Sequence, residues 1–311
     1  MATYSIEPDR TTLHGTFSRE YPPVLTIASG DSVSYRTLEA GWPLEPPNTT
    51  GQARRVFEPR HPERDRGHAL CGPVAIAGAE PGMTLEIQID AIRTGTWGAT
   101  YAGGSSRKAL NGRLGVLDES RMLVWELDPD ALVGRDQYGH TVALRPFMGV
   151  MGLAPDAPGI HPTAPPRICG GNIDCKELVV GSRLYLPVQV PGALFSVGDG
   201  HGLQGDGEVS GTAIECPMER VDLTFRLHKD LRLKTPRAET AAGQITFGFH
   251  EDLNEATLLA LEAMLELLEQ QYGVKRHEAL ALASLVVDLR ITQIVNGVSG
   301  VHAVLPPGAI K

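Results

Sequence analysis

Cysteine is scarce in this sequence. Four cysteines are spread over 311 residues, and no two of them form a Cys-x-x-Cys pair. This spacing excludes a zinc knuckle and gives no sign of a disulfide framework, which needs a denser pattern in a shorter chain. We therefore expect the four thiols to be small buried side chains.

Basic residues are also few relative to acids. The chain has 28 Lys and Arg against 37 Asp and Glu, a net charge of −9, and acids interrupt its most arginine-rich segment, residues 54–66. Nucleic-acid-binding surfaces are usually basic, so no nucleic-acid partner is expected. No apolar run approaches the ~18 residues of a membrane helix, and the first ten residues lack the pattern of a signal peptide. We expect a cytoplasmic protein with no membrane association.

Aromatic residues make up only 5% of the chain, whereas 35 glycines and 23 prolines supply many turns. This balance favours short strands over long helices. Residues 218–228 (MERVDLTFRLH) alternate apolar and polar side chains, as a half-buried strand does, and similar short runs precede them. Residues 41–68 lack such a period, and we expect a long loop there.

The pattern changes near residue 250. Residues 254–273 carry apolar side chains every three or four positions, a helical spacing that ends at Gly273. Residues 275–288 predict a second helix, and residues 289–297 and 300–306 predict a closing pair of strands.

These segments together predict a mainly β fold with an appended C-terminal α/β portion. The short strands, separated by turn residues, are typical of a β-sandwich or barrel-like domain, which we place over residues 1–240. The α/β portion covers residues 241–311 and is expected to pack on that domain.

Titratable side chains concentrate in one glycine-rich segment, residues 195–215 (FSVGDGHGLQGDGEVSGTAIE). Glycine lets the backbone take positive φ and approach a ligand closely. Crowded carboxylates repel one another, and a cation, a shared proton or water relieves that repulsion. Carboxylates with an imidazole suit zinc or another divalent ion, and carboxylates alone suit calcium or magnesium. A solvated acidic hairpin is the alternative for this segment, whose candidates are Asp199, His201, Asp206, Glu208 and Glu215.

Position along the chain decides which of these side chains are expected to meet. Asp174 follows two glycines and an asparagine shortly before the acidic segment, so it either joins the same site or caps its own turn. Residues 208–216 predict a strand in which Glu208 and Glu215 face opposite sides, unless Gly211 marks a bulge. We therefore favour Glu208, which adjoins the glycine loop.

Four blocks taken in order carry a resemblance to a known family: residues 72–89 (GPVAIAGAEPGMTLEIQI), 148–155 (MGVMGLAP), 170–215 (beginning GGNIDCKELVVG) and 284–306 (SLVVDLRITQIVNGVSGVHAVLP). In these blocks the chain resembles the acetamidase/formamidase family. The resemblance implies a cytoplasmic, metal-dependent homo-oligomeric hydrolase, a homodimer or larger, that cleaves short amides to a carboxylate and ammonia. It also implies a mostly β fold with an appended α/β portion.

The family's motifs fall on individual residues of this chain. The GGN-x-D aspartate corresponds to Asp174, and the GD-x-H pair corresponds to Asp199 and His201. The GDGE pair corresponds to Asp206 and Glu208, and the late glutamate corresponds to Glu215.

Two positions depart from the family's pattern. Members often carry histidine before GGN, where this chain has Cys169, and asparagine where His68 stands in GHALCGPV. A thiolate is a softer, pH-dependent zinc ligand, and His68 would restore an imidazole, so both are ligand candidates. Asp206 would orient another ligand or hold a second ion.

These residues predict metal-dependent hydrolysis of a formamide- or acetamide-type amide. Asp174, Asp199 and His201 would hold a divalent ion, with zinc as the first choice and calcium as the second. Such an ion lowers the pKa of water and polarises a carbonyl. Glu208 or Glu215 would take a proton from water and pass it to the departing amine.

Two other interpretations stay open at this point. Cys175 lies beside Lys176 and Glu177 and suggests a cysteine nucleophile, although consecutive residues of a strand point to opposite faces. Alternatively, the chain is a non-catalytic, metal-stabilised binding protein or an inactive paralogue. Such a protein would gain thermal stability from metal but release no ammonia.

Overall fold

The computed structural model describes residues 1–47 and 53–311. Part of the long loop predicted over 41–68 therefore lies outside the described residues. In the part that is described, Pro43 and Val56 form an isolated bridge between the two sides of the segment.

Short strands form most of the regular structure, and the predicted mainly β class is confirmed. Numbered in chain order, the strands are β1 (Thr3–Ile6), β2 (Leu13–His14), β3 (Thr16–Phe17), β4 (Leu25–Ile27), β5 (Ser32–Thr37), β6 (Leu70–Ile76), β7 (Thr84–Thr94), β8 (Trp97–Gly103), β9 (Ser120–Asp128), β10 (Val133–Asp136), β11 (Thr141–Ala143), β12 (Phe147–Gly152), β13 (His161–Pro162), β14 (Gly170–Asn172), β15 (Arg183–Pro187), β16 (Phe195–His201), β17 (Met218–His228), β18 (Arg237–Thr240), β19 (Gly243–His250), β20 (Asp288–Gln293) and β21 (Ser299–Leu305).

Three α-helices occur in the described residues: α1 (Lys108–Arg113), α2 (Leu253–Tyr272) and α3 (Arg276–Val286). The helix predicted over 254–273 is confirmed as α2. Asp252 caps its first turn by accepting the backbone N–H groups of Asn254 and Glu255, and Gly273 ends it in the left-handed conformation at φ 67°. None of the helices in the described ranges has the length and hydropathy needed to cross a lipid bilayer.

The strands form two large sheets and two smaller ones, each an open array within the described part of the chain. The largest has the order β1-β5-β17-β7-β15-β18-β19-β21-β20. The second has the order β14-β12-β16-β6-β2, with β4 added beside β6. The smaller sheets are β11-β10-β9-β8 and β13-β3.

The two large sheets pack face to face through one apolar core. Phe195 of β16 meets Phe225 of β17 edge to face, with ring centroids 5.0 Å apart. Tyr35 of β5, Val74 of β6 and Ile87 of β7 belong to the same buried cluster. The alternation of apolar residues along strands such as β17 therefore produces a sandwich-like core, as the sequence predicts.

The C-terminal residues extend the largest sheet and cover one face of it with helices. The predicted closing strands are confirmed as the antiparallel pair β20–β21. Met264 and Leu268 of α2 pack with Val301 of β21 in a second apolar cluster. The largest sheet continues across residue 240 through the pairing of β18 with β19, and the domain boundary placed there stays a prediction.

Candidate functional site

Three strands bring Asp174, Asp199 and His201 together. β12 pairs with β16, which carries Asp199 and His201, and with β14, which ends two residues before Asp174. Gly149 of β12 lies beneath the carboxylates: a Cβ atom there would come within 2.6 Å of both Asp174 Oδ1 and Asp199 Oδ2. The absence of a side chain at this one position makes room for the two acids.

His201 is the centre of the site. Its Nε2 atom lies 3.3 Å from Asp199 Oδ1 and 3.3 Å from Glu215 Oε2. Its Nδ1 atom lies 2.9 Å from Gln204 Oε1, and Gln204 Nε2 donates to the carbonyl oxygen of Asp174 at 2.8 Å. Because the amide oxygen of Gln204 only accepts, Nδ1 is the donor, and Nε2 faces the acids.

Glu208 and Glu215 both reach His201. One ligand atom from each of these three side chains lies within 4.8 Å of the other two, and the same holds for Asp174, Asp199 and His201. The predicted strand over 208–216 is wrong, and so is the expectation that the two glutamates face opposite sides. The backbone turns at Gly211 (φ 86°), which removes the two-residue alternation on which that expectation depends.

The backbone of the site is strained. Asp174 (φ 53°), Asp199 (φ 60°) and Glu208 (φ 45°) all occupy the left-handed region, which residues with a side chain rarely adopt. Such strain, on the order of 1–3 kcal/mol per residue, concentrates at functional sites.

Burial and mutual repulsion control the charges of the site. Burial, reinforced by Asp199, raises the pKa of Asp174 to about 7, although His201 opposes this shift. Burial and the neighbouring Asp174 raise the pKa of Glu208 to about 10. Burial alone would lower the pKa of His201, but Glu215 and Asp199 raise it well above its ordinary value. The protein without a bound cation therefore relieves the repulsion with protons.

Several buried oxygens of the site have no hydrogen-bond partner within the described residues: Asn172 Oδ1, Asp174 Oδ1, Glu208 Oε2 and Glu215 Oε2. An unpaired buried acceptor is destabilising. Oxygen donors arranged around one imidazole nitrogen are also a normal ligand set for a divalent ion. The residues present therefore fit a metal ion, and a cation would satisfy the unpaired oxygens.

A cavity of about 770 Å³ opens over these residues and gives them access to solvent. Asp199, Glu208 and Glu215 line its inner part, and Arg66 and Arg107 lie at its wall. Its size is within the range of small-molecule binding pockets.

Of the other predicted site residues, Asp206 and Cys169 lie away from the cluster around His201, whereas His68 shares its cavity. The carboxylate of Asp206 is partly exposed and pairs with Lys176 Nζ at 2.9 Å, away from the cluster around His201. Cys169 is buried in the apolar core, where burial raises the pKa of its thiol to about 11. His68 lines the cavity, and its Nδ1 atom lies 2.9 Å from Thr163 Oγ1.

Three residues of the candidate site were missed by the sequence reasoning. Gln204 holds the ring of His201, Asn296 Nδ2 donates to Asp174 Oδ2 at 2.6 Å, and Glu39 lines the cavity. Gln204 and Asn296 lie within blocks that resemble the family, but no spacing rule links Asn296 to a residue 122 positions earlier. Glu39 follows β5 and has no local signal at all.

Cys175, the alternative nucleophile, is part of a separate buried cluster. Its thiol donates to Glu177 Oε2 at 3.4 Å, and Arg290 Nη1 pairs with Glu177 Oε1 at 3.1 Å. Burial raises the pKa of Cys175 well above its ordinary value, which leaves it a thiol rather than the reactive thiolate. Lys176 is turned towards Asp206, so these neighbours do not converge on one substrate position.

The fold and this site agree with comparisons to known proteins. The sequence profile of the Acetamidase/Formamidase family matches residues 3–162 and 157–310, and the chain belongs to this family. The formamidase of Methylophilus methylotrophus is 25% identical over 249 residues, which cover 64% of this chain and 60% of that protein. A proposed formamidase of Schizosaccharomyces pombe is 27% identical over 258 residues, which cover 65% and 60%. The chain thus spans 60% of the length of each of these curated relatives.

A solved structure extends the similarity to nearly the whole chain. The acetamidase of Bacillus halodurans superposes with a TM-score of 0.83 at 27% sequence identity, covering 97% of each chain. The arrangement of sheets that positions the candidate site is therefore shared with that protein.

Proposed function

We propose that this protein hydrolyses short aliphatic amides of the formamide or acetamide type to a carboxylate and ammonia, with the help of a divalent ion. One observation carries the proposal: the unpartnered buried oxygens of Asp174, Glu208 and Glu215 surround His201 at the inner end of a cavity. Membership of the Acetamidase/Formamidase family and the similarity to named amidases support the amide as substrate.

The ion would be held by Asp174, Asp199 and His201, and Glu215 approaches the same imidazole nitrogen as Asp199. The histidine favours zinc over calcium, which prefers oxygen ligands alone. When bound, the ion would supply positive charge that polarises the substrate carbonyl and activates water.

The two glutamates have different environments and therefore different roles in this proposal. Glu215 Oε1 accepts the backbone N–H of Ala213 at 2.8 Å, which fixes the carboxylate and directs Oε2 to His201. Glu208 Oε2 has no hydrogen-bond partner in the described residues and lines the cavity. With a cation bound nearby, which would favour its ionised form, Glu208 would be the proton carrier that takes a proton from water and delivers it to the departing nitrogen.

The test is ammonia release from a series of short amides, with untreated protein, with chelator-treated protein and after metal is restored. We expect release from formamide or acetamide that the chelator abolishes and zinc restores. Release that is indifferent to metal after complete removal of the ion would contradict the metal requirement. Thermal stabilisation by metal without any ammonia release would instead indicate a non-catalytic binding protein.

We also infer a reducing, cytoplasmic location and a homodimer or larger homo-oligomer. The four cysteines are free and buried, as is usual where disulfides do not form. β20 is an edge strand of the largest sheet, and it exposes Leu289 (47%) and Ile291 (42%), while Leu285 (81%) is exposed just before it. Exposed apolar edges are usually covered in soluble proteins. Light scattering at several protein concentrations would give the mass, and a monomer throughout would contradict the assembly.

A further inference from the structure

Glu39 is a buried carboxyl group that the proposed chemistry leaves without a role. It lies two residues after β5, and only 4% of its surface is exposed. It lines the same cavity as Asp199, Glu208 and Glu215, yet it belongs to neither group of potential metal ligands around His201.

The Oε2 atom of Glu39 has no hydrogen-bond partner in the part of the chain that the structure describes. No ion pair to Glu39 occurs within those residues either. Burial, reinforced by the charge of Glu215, raises the pKa of Glu39 to about 7, although the positive charge of Arg54 opposes this shift. Arg54 instead donates through Nη2 to the hydroxyl of Tyr101 at 2.9 Å. Within the described residues, the Oε2 atom of Glu39 is thus a buried acceptor without a well-placed donor, although the backbone N–H of Gly41 lies close enough to the carboxyl to lower its pKa. Such an acceptor is destabilising unless a ligand supplies the donor.

A primary amide carries the donors that are missing. Its nitrogen presents two N–H groups and its carbonyl oxygen presents none, so only the nitrogen end can satisfy a free carboxyl oxygen. The same cavity holds the cluster around His201, from which Glu215 and Asp199 raise the pKa of Glu39, and a cation in that cluster would attract the carbonyl oxygen. A carboxamide between the two would therefore direct its nitrogen to Glu39.

We infer that Glu39 is a further catalytic residue, which accepts a hydrogen bond from the carboxamide nitrogen and makes the site selective for amides that carry an N–H group. This inference rests on the proposed amide hydrolysis and adds the substrate class within it: unsubstituted amides, in preference to N,N-dialkyl amides and esters. A site built to accept a hydrogen bond discriminates strongly against analogues that lack the donor, because its polar group is then left unpaired.

The test compares Glu39→Met with the wild-type protein on acetamide and on methyl acetate, an ester of similar size without N–H. Methionine keeps the length of the side chain and removes the acceptor. At pH 8, where Glu39 is largely ionised, we expect kcat/KM for acetamide to fall about 10- to 100-fold, the range of one lost hydrogen bond to a charged group. The value for the ester should stay within about threefold. Glu39→Gln retains an acceptor oxygen and should recover most of the preference for the amide. Ile160→Ala, at the rim of the same cavity, is the control and should leave the amide-to-ester ratio unchanged.

Binding calorimetry separates this inference from the proposed function. Acetamide should bind Glu39→Met about tenfold or more weakly than wild type, whereas N,N-dimethylacetamide should bind both proteins equally. If the wild-type protein releases no ammonia but shows this pattern, the hydrolysis proposal fails and the recognition by Glu39 stands. If Glu39→Met lost affinity equally for acetamide and N,N-dimethylacetamide, or lost amide and ester turnover equally, the inferred role of Glu39 would be overturned. Replacing an unpaired buried carboxyl by an apolar group should not weaken the fold, and the melting temperature of each variant checks this.

Discussion

Asn296 donates its side-chain N–H to Asp174 Oδ2 across 2.6 Å, and this hydrogen bond joins residues 122 positions apart. Asn296 lies in the turn between β20 and β21, and Gly207 of the acidic segment bridges to Gln293 at the end of β20. The C-terminal α/β portion therefore completes the site that the β strands begin, and the orientation of one candidate metal ligand depends on it.

Asn296→Ala should reduce both metal affinity and kcat/KM about 10- to 100-fold, because partners that orient a metal ligand typically contribute that much. Metal content after dialysis and steady-state kinetics measure the two effects. Ile294→Ala removes an exposed side chain from the same turn and is the matched control. Wild-type metal content and activity in Asn296→Ala would contradict an orienting role.

Gly149→Ala should abolish metal binding while the protein remains folded. The new Cβ atom would come within 2.6 Å of Asp174 Oδ1 and Asp199 Oδ2, so the two carboxylates must separate. Isothermal titration calorimetry with the metal ion measures its affinity for each variant and tests this expectation. Gly205→Ala is the control, because a Cβ atom there meets nothing within 4 Å. If both variants bind metal like wild type, the ion does not lie between these two carboxylates.

Asp199→Asn and Asp206→Asn should differ in their effects, although both acids lie in the same segment. Asp199 contacts His201 inside the cluster, and its loss should lower kcat at least about 100-fold through loss of the metal. Asp206 pairs with Lys176 at a partly exposed position, where such pairs contribute little, so its replacement should leave kcat within a few-fold. Equal damage by the two substitutions would bring Asp206 back into the site.

The stability of the metal-free protein should fall as the pH rises. The pKa of Asp174 is raised from 3.8 to about 7 and that of Glu39 from 4.5 to about 7, chiefly by burial. Between their ordinary and raised values the folded chain holds protons that the unfolded chain has released, so the free energy of unfolding decreases with pH over that window. The raised pKa of His201 adds the same sign above pH 6.5.

A divalent ion would replace the protons on Asp174 and His201, so its stabilising effect should increase from pH 5 to pH 8. An ion at 100 times its dissociation constant adds about 2.7 kcal/mol. Thermal unfolding with chelator and with zinc, measured across this pH range, tests the prediction. A melting temperature that rises with pH in the chelated protein would contradict the assignment of buried protons to these acids.

The sequence predicted those parts of the fold that depend on local patterns. The alternation along residues 218–228 became β17, and the three-to-four spacing over 254–273 became α2, with Gly273 at its end. Asp199 and His201, two residues apart on β16, were both expected to hold the ion, and their side chains do meet. These features depend only on residues close together in the sequence and on the spacing of the apolar side chains that become buried.

The remainder of the site depends on contacts between distant segments. Glu215 lies beside both Ala99 and His201 through isolated bridges, and that pairing, rather than a strand over 208–216, directs its side chain. Asp206 and Glu208 are two residues apart, but the turn around Gly207 (φ 93°) sends only Glu208 inward. No rule based on sequence spacing predicts the positions of Glu39 and Asn296, because tertiary packing alone brings them to the cavity.

The left-handed backbone at Asp174, Asp199 and Glu208 has a consequence for how this chain can change over time. Glycine would adopt those conformations without steric strain, so replacing any of the three acids by glycine should remove that strain together with a carboxylate. The chain therefore holds these carboxylates at some expense of folding free energy, as functional sites commonly do. The acids at these three strained positions are therefore those expected of a protein still selected for what its carboxylates do.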